Sequence, residues 1–303
     1  MKTKNNFDVI IVGGSYAGLA AGLTLGRALR HVLIIDSSDP CNKQTPYSHN
    51  LLTHDGDTPA AIAALAREQV KQYPTVQFCT DMVTDASRFD NGFKVTTWSG
   101  AELTADKLLF ATGIKDKLPA IEGLKDCWGI SVLHCPYCHG YEVRNKPTAI
   151  LSKGEHALEL VKLLSNWTNE LIVLTNEQEA LPEKHEALLR QRGVKVINTA
   201  ISGLQHKQGQ LEKIVFADNS ELAVEVLYAP SPFEQATRLP EKLGCHLTEE
   251  GYLQVDAGQQ TTVAGVYASG DNTTRTRTLA NAISQGTTAA IAINKQLIEE
   301  RFA

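Results

Sequence analysis

The chain has 303 residues, 43% of them hydrophobic and 21% charged with both signs mixed. It is long enough for two cores of ordinary size and too apolar for a disordered or fibrous protein. A net charge of −5 without any Lys/Arg run excludes the electrostatic footprint of a nucleic-acid binder. No apolar run reaches membrane-spanning length, and the apolar stretch after Met1-Lys2-Thr3-Lys4-Asn5 is too short for the core of a secretory leader. A cytoplasmic location without a membrane partner is therefore expected.

The first run, Phe7-Asp8-Val9-Ile10-Ile11-Val12, reads as a buried parallel strand. It enters the turn Gly13-Gly14-Ser15-Tyr16-Ala17-Gly18, and an Ala/Leu-rich helix is expected from there to about Leu29. A second strand, Val32-Leu33-Ile34-Ile35, ends on Asp36, eighteen residues after Gly18. This order makes a βαβ unit in which the helix N-terminus receives the pyrophosphate of a dinucleotide and the acid receives the ribose hydroxyls. The turn departs from G-x-G-x-x-G at Ser15, where a glycine lets the backbone approach the phosphates. The bland alternative is another doubly wound α/β protein. Strand, helix, second strand and acid standing in register favour dinucleotide binding.

Further along, Lys107-Leu108-Leu109-Phe110 ends in Ala111-Thr112-Gly113, and Gly265-Val266-Tyr267-Ala268 ends in Ser269-Gly270-Asp271. Between them lies a second βαβ pattern. Its strand Thr148-Ala149-Ile150-Leu151 turns through Ser152-Lys153-Gly154-Glu155-His156-Ala157 into a helix to about Leu164, and Leu171-Ile172-Val173-Leu174 returns. The expected fold class is α/β, with two nested Rossmann-like, doubly wound domains, the second inserted into the first.

Of the six cysteines, Cys41, Cys79, Cys127 and Cys245 are isolated, and only Cys135 and Cys138 form a C-x-x-C pair, in His134-Cys135-Pro136-Tyr137-Cys138-His139. A two-residue spacer lets both sulfurs meet within one turn. A nearby helix N-terminus or protonated histidine stabilises a thiolate and activates it for exchange. Three other readings compete with redox work. C-x-x-C-H is also the attachment sequence of c-type haem, which is normally loaded outside the cytoplasm. Zinc could use the two thiolates with His134 or His139, although structural zinc sites usually combine two spaced pairs. The thiols could also be inert.

The glycine turn, Asp36, Ala111-Thr112-Gly113, Cys135-Pro-Tyr-Cys138 and Gly270-Asp271 occur in an order that resembles the low-molecular-weight thioredoxin reductases, over nearly the whole chain. The resemblance implies an FAD domain from residues 1–114 and 241–303, interrupted by a nucleotide-binding-like domain at 115–240 that carries the redox disulfide. It also implies a homodimer, and a thioredoxin-like small protein or a small-molecule dithiol or disulfide as partner. FAD contacts are implied for Gly13, Gly14, Ser15, Ala17, Gly18, Asp36, Asn42, Asn50, Ala111, Thr112, Gly113, Gly270, Asp271 and Gln285, with no metal ligand. By the same resemblance Cys138 takes electrons from the flavin and Cys135 attacks the outside disulfide. The pairs Cys41-Asn42 and His49-Asn50, followed by Asp55-Gly56, resemble a narrower subgroup that includes fungal dithiol oxidases.

Two departures from the family pattern bear on function. His139 stands where the typical member has a proton-donating aspartate, so acid–base work is expected of an imidazole. The nucleotide turn of the inserted domain has lost its first glycine, and Thr175-Asn176-Glu177 follows the next strand where users of NADPH carry arginines. An acid there suits NADH better than NADPH, if either binds. The electron source is thus open between a reductase driven by NAD(P)H and a dithiol oxidase or ferredoxin-linked reductase. A non-enzymatic redox sensor is the reading from another class. The terminal Arg301-Phe302-Ala303 reads as a frayed helix end.

Overall fold

The structure, a computed structural model, describes residues 6–178 and 181–303. The opening Met1–Asn5, on which the leader reading partly rests, lies outside them. The chain divides into two compact units. One holds Met1–Lys43, Asn50–Lys115 and Phe233–Ala303, and the other holds Gln44–His49 and Asp116–Pro232. The second boundary falls earlier than the expected 240/241 because hydrogen bonds tie the intervening segment to the first unit. Ala236 N–H donates to Gly113 O, and Gln235 Nε2 donates to the carbonyls of Gly251 and Asn272. Gln44–His49 groups with the second unit because Gly129 packs on Gln44 and Thr45.

In the first unit, strands 76–80, 32–36, 6–12 and 102–110 lie side by side in that order, and 92–97 and 83–89 continue the sheet. Strand 266–268 also pairs with 102–110. The strands at 76–80, 32–36, 6–12, 102–110 and 266–268 are mutually parallel; the 83–97 hairpin is antiparallel to them. Alternate residues feed opposite faces, as the twofold period of a strand requires. Val9, Ile11, Ile34 and Leu109 pack with Leu19, Leu25, Ala289 and Ile293 of the helices. Ile10, Val12, Leu33, Ile35, Leu108 and Phe110 pack on the other side with Phe93, Val95 and Leu253. Burial on both faces explains why these strands read as continuous apolar runs.

The helix Tyr16–Arg27 stops two residues short of Leu29. Leu29 takes φ +59°, its N–H donates to Gly26 O, and Arg30 N–H donates to Leu25 O. These are the two bonds of a Schellman motif, here with leucine at the position glycine usually fills. The final helix, Leu279–Phe302, is capped by the Thr278 hydroxyl, which accepts from Asn281 N–H. It runs to Phe302, with Arg301 Nη2 3.0 Å from Asp8 Oδ1 and Phe302 exposed.

The second unit carries a five-stranded parallel sheet in the order 195–197, 171–174, 148–151, 226–228, 132–133, with an antiparallel sheet formed by 201–207, 210–216 and 221–223. The helix His156–Leu164 connects the parallel neighbours 148–151 and 171–174, completing the second βαβ unit. Among the described residues, no helix is long and apolar enough to cross a membrane.

The helices 16–27 and 279–302 cross at glycine. A Cβ added at Gly286 would lie 2.1 Å from Ala17 O. Alanine gains about 1 kcal/mol over glycine in a helix interior, but an overlap with backbone has no rotamer to relieve it and costs about 1–3 kcal/mol. Gly286→Ala should therefore lower stability in urea unfolding at unchanged m-value. Unchanged or higher stability would contradict this crossing.

Candidate active site

The glycine turn is built by close approach of backbones. Gly13 has φ +107°, and a Cβ there would lie 2.3 Å from Ala111 O; a Cβ on Gly18 would lie 2.0 Å from Gly13 O. Gly14 is closed by Asp36, whose Cβ would be 2.8 Å from an added Cβ, and Gly14 N–H donates to Asp36 Oδ1 at 3.2 Å. Ser15, the departure from the glycine pattern, sits at φ −87° with no side-chain capping bond. Its backbone is one that any residue adopts. The first N–H groups of the helix are consequently not capped by their own N-cap side chain, the condition for receiving an anion.

Ala111, Thr112 and Gly113 leave the end of strand 102–110 beside this turn, with Ala111 N–H donating to Val12 O. Gly270 N–H donates to Gln285 Oε1 at 2.9 Å, and the Thr273 hydroxyl bonds Gly270 O and Gln285 Oε1. Asp271 Oδ2 lies 3.8 Å from Arg277 Nε. Gly13, Gly14, Ser15, Ala17, Gly18, Asp36, Ala111, Thr112, Gly113, Gly270, Asp271 and Gln285 thus belong to the glycine turn, the adjoining strand ends and the helix packed on them. Asn42 and Asn50 belong instead to the loop between Asp36 and Thr58; Asn50 takes φ +61° and its N–H donates to Asp55 Oδ1.

The carboxyl ends of parallel strands are where α/β sheets bind dinucleotides, and two further observations fit FAD. Asn272 is wholly buried and spends its amide N–H on Phe110 O at 2.9 Å, leaving its buried Oδ1 without a partner, as is the buried Ser269 hydroxyl. A cleft of about 390 Å3, lined by Ser37, Thr80, Asp81, Met82 and Trp98, adjoins Asp36, whose carbonyl accepts from Asp81 N–H. The Ser99 hydroxyl, then the Thr97 hydroxyl and Met82 N–H, hold the Asp81 carboxyl down to about 2. Asn272 and the cleft were not singled out from the sequence. Adjacency to Gly270-Asp271 was the only signal for Asn272, and none existed for a cleft assembled from three segments.

In the second unit Cys135 and Cys138 are joined by a disulfide, with Cα atoms 5.3 Å apart. Cys135 is the N-cap of a single turn, Pro136–His139, and its carbonyl accepts from both Cys138 and His139 N–H. Both cysteines are half-buried. Burial, and next the neighbouring His49, push His139 below the ordinary histidine value, against a smaller upward pull from Glu142. The imidazole is therefore neutral at neutral pH, a proton acceptor rather than a fixed positive charge beside the sulfurs. His49 Nδ1 lies 3.6 Å from Glu142 Oε1. His134 stacks on Trp128, and Tyr137, exposed, meets Trp167 edge-on at 5.7 Å. Glu142 could have been found as the residue three after His139; His49 stood out only in the His49-Asn50 pair of the subgroup resemblance, and Trp167 carries no sequence signal.

At the altered nucleotide turn, Gly154 takes φ +54° and Glu155 is the N-cap of the helix without a capping bond. Asn176 and Glu177 both have left-handed φ. They are fixed by Asn176 Oδ1 accepting from Ile201 N–H and Glu177 N–H donating to Asn198 O. The Thr175 hydroxyl bonds Asn198 Oδ1.

A dinucleotide cradle in one unit and a cysteine-pair disulfide in a second dinucleotide-fold unit define a disulfide oxidoreductase. The family described as pyridine nucleotide-disulphide oxidoreductase matches residues 7–286, and the chain belongs to that family. It is 30% identical to a protein described as a probable thioredoxin reductase from Arthroderma benhamiae, over 98% of this chain and 82% of that one. It is 28% identical to the thioredoxin reductase tcpT of Claviceps purpurea, over 99% and 97%. Among solved structures, an oxidoreductase from Agrobacterium tumefaciens superposes with a TM-score of 0.90 at 35% identity, covering 97% of this chain and 99% of that one. The protein is a flavin-dependent disulfide oxidoreductase of the thioredoxin reductase type, with FAD as its cofactor.

Trp167 packs against the turn that carries the cysteine pair. A Cβ on Gly140 would lie 2.9 Å from Trp167 Nε1 and 2.5 Å from Pro136 O. Gly140→Ala must displace the turn carrying Cys138, and a misplacement on the order of 1 Å costs up to about 100-fold in rate. Disulfide exchange should fall by about tenfold or more while the flavin spectrum is retained; a wild-type exchange rate would contradict this packing.

Proposed function

We propose that the Cys135–Cys138 pair is the working disulfide, exchanging with a thioredoxin-like small protein or a small-molecule disulfide. The single observation that carries this reading is the closed Cys135–Cys138 disulfide on its own turn, half-buried beside a histidine, in a chain of this family. The Cys135 thiolate attacks one sulfur of the outside disulfide, forming a mixed disulfide while the other sulfur leaves as a thiolate with the electron pair and takes up a proton. Cys138 then attacks the Cys135 sulfur, its thiol proton passing to His139, and the second substrate sulfur departs. Two electrons have moved to the substrate, and the pair is closed again. Bound FAD supplies the two-electron store from which the pair is reduced. Reversed, the same residues oxidise a dithiol. The division of labour between Cys135 and Cys138 follows the family resemblance, as do a homodimeric assembly and a cytoplasmic setting.

The FAD contacts we propose are Gly13, Gly14, Ser15, Ala17 and Gly18 for the pyrophosphate and Asp36 for the ribose. Ala111, Thr112, Gly113, Gly270, Asp271 and Gln285 line the strand ends, with Asn42 and Asn50 contributed by the loop. A second reading, a dithiol oxidase or ferredoxin-linked reductase independent of NAD(P)H, is favoured by Glu155 at the N-cap of the nucleotide helix and Glu177 after the next strand. Carboxylates at these positions oppose a phosphate.

Anaerobic addition of NADH, NADPH and then dithiothreitol to the purified flavoprotein separates the readings. Rapid bleaching of the flavin band by a nucleotide establishes the reductase. Bleaching by dithiothreitol alone, abolished in Cys135→Ser and Cys138→Ser, establishes the second reading. Bleaching by none would overturn electron passage through the pair.

A further inference from the structure

Around the redox turn the chain assembles a polar cluster that motif spacing does not explain. His49 arrives from a segment some ninety residues earlier, with its side chain 18% exposed and Nδ1 at 3.6 Å from Glu142 Oε1. Its ring meets that of His139 edge to face, with centroids 6.3 Å apart. Tyr228, from strand 226–228, is buried with its hydroxyl unpartnered. We propose that His49, paired with Glu142, is a positioning residue that sets the charge state of His139 and thereby the pH window in which Cys135 and Cys138 exchange. This rests on the reading above that His139 accepts the Cys138 proton.

Three groups face one another within about one Debye length, roughly 8 Å at physiological salt, and are partly shielded from water, so their charges are felt mutually. The Glu142 carboxylate favours a proton on either ring, and a proton on one ring opposes a proton on the other. The carboxylate stands on His49, whose ring lies edge to face against that of His139. Burial and His49 lower His139 while Glu142 raises it, the pattern this geometry requires. Burial, and secondarily Glu142, push the Tyr228 phenol far above its ordinary value, so it stays neutral and adds no charge. His134, stacked on Trp128, and Tyr137, edge-on to Trp167, are further titratable groups beside the pair. In the closing step Cys138 gives its proton to His139 as its sulfur bonds Cys135, and His139 passes that proton to the departing substrate thiolate, so the imidazole ends the step neutral; the first leaving thiolate takes its proton from solvent.

His139 works as an acceptor only when neutral, so exchange falls as pH drops through its pKa. The test is a histidine 13Cε1 NMR titration of the FAD-loaded protein, wild type, His49→Gln and Glu142→Gln, alongside the pH profile of exchange with a small disulfide. In His49→Gln the His139 titration and the acid limb of exchange should both move to higher pH; in Glu142→Gln both should move to lower pH. Glu142 has a side chain 38% exposed, so its variant carries the test alone should His49→Gln not fold. A His139 titration unmoved in the variants, or moved the same way in both, would overturn the coupling. Opposite NMR shifts with an unmoved exchange profile would leave the coupling standing and overturn His139 as proton acceptor, and with it the claim about the pH window.

Discussion

Three backbone-to-backbone approaches, closer than any side chain permits, fix the geometry of the first unit. Gly13 lies against Ala111, Gly18 against Gly13, and Gly286 against Ala17. Together they bring the end of strand 6–12, the start of helix 16–27, the end of strand 102–110 and helix 279–302 to one place. A side chain at any of the three would separate elements whose ends form the cradle. The positive φ of Gly13 completes a turn in which the first helical N–H groups are left uncapped by Ser15 while Asp36 is tethered through Gly14 N–H.

The second unit uses its βαβ framework differently. Its parallel sheet and connecting helix are intact, yet the turn between them presents Glu155 at the helix N-cap and Glu177 after the next strand. The investment in this unit is at the cysteine turn, where Cys135 closes one helical turn, Trp167 backs Gly140, and His139 is partly desolvated beside a His49–Glu142 pair. An aspartate there would donate a proton only when burial or a neighbouring acid raised its pKa far above 4. An imidazole lowered from 6.5 accepts and returns a proton near neutrality without such help.

Much of this was legible in the sequence because it is local. The strand runs at 7–12, 32–35, 148–151 and 171–174, the glycine turn, Asp36 and the C-x-x-C pair each declare themselves within a few residues, and their order sufficed to recognise the family. What was not legible depends on contacts across the chain. The segment 233–240 joins the first unit through hydrogen bonds from Gln235 and Ala236. Arg301 in the last turn of the final helix meets Asp8, nearly three hundred residues away. His49 reaches Glu142 only after the fold has formed, and Asn272 becomes meaningful only once Phe110 O is beside it.

The central claim is that Cys135 attacks and Cys138 resolves, and the most direct measurement is to trap the intermediate between those steps. The dithiothreitol-reduced, desalted protein is mixed with a small linear disulfide, as wild type and as Cys138→Ser, quenched with acid and mapped by peptide mass spectrometry. The account predicts a mixed disulfide on Cys135 that persists in Cys138→Ser and is absent from wild type, where the closed Cys135–Cys138 bond replaces it. Labelling of the exposed Cys41 should be the same in both proteins. No adduct on Cys135 in the variant, or an adduct there that survives equally in wild type, would contradict it.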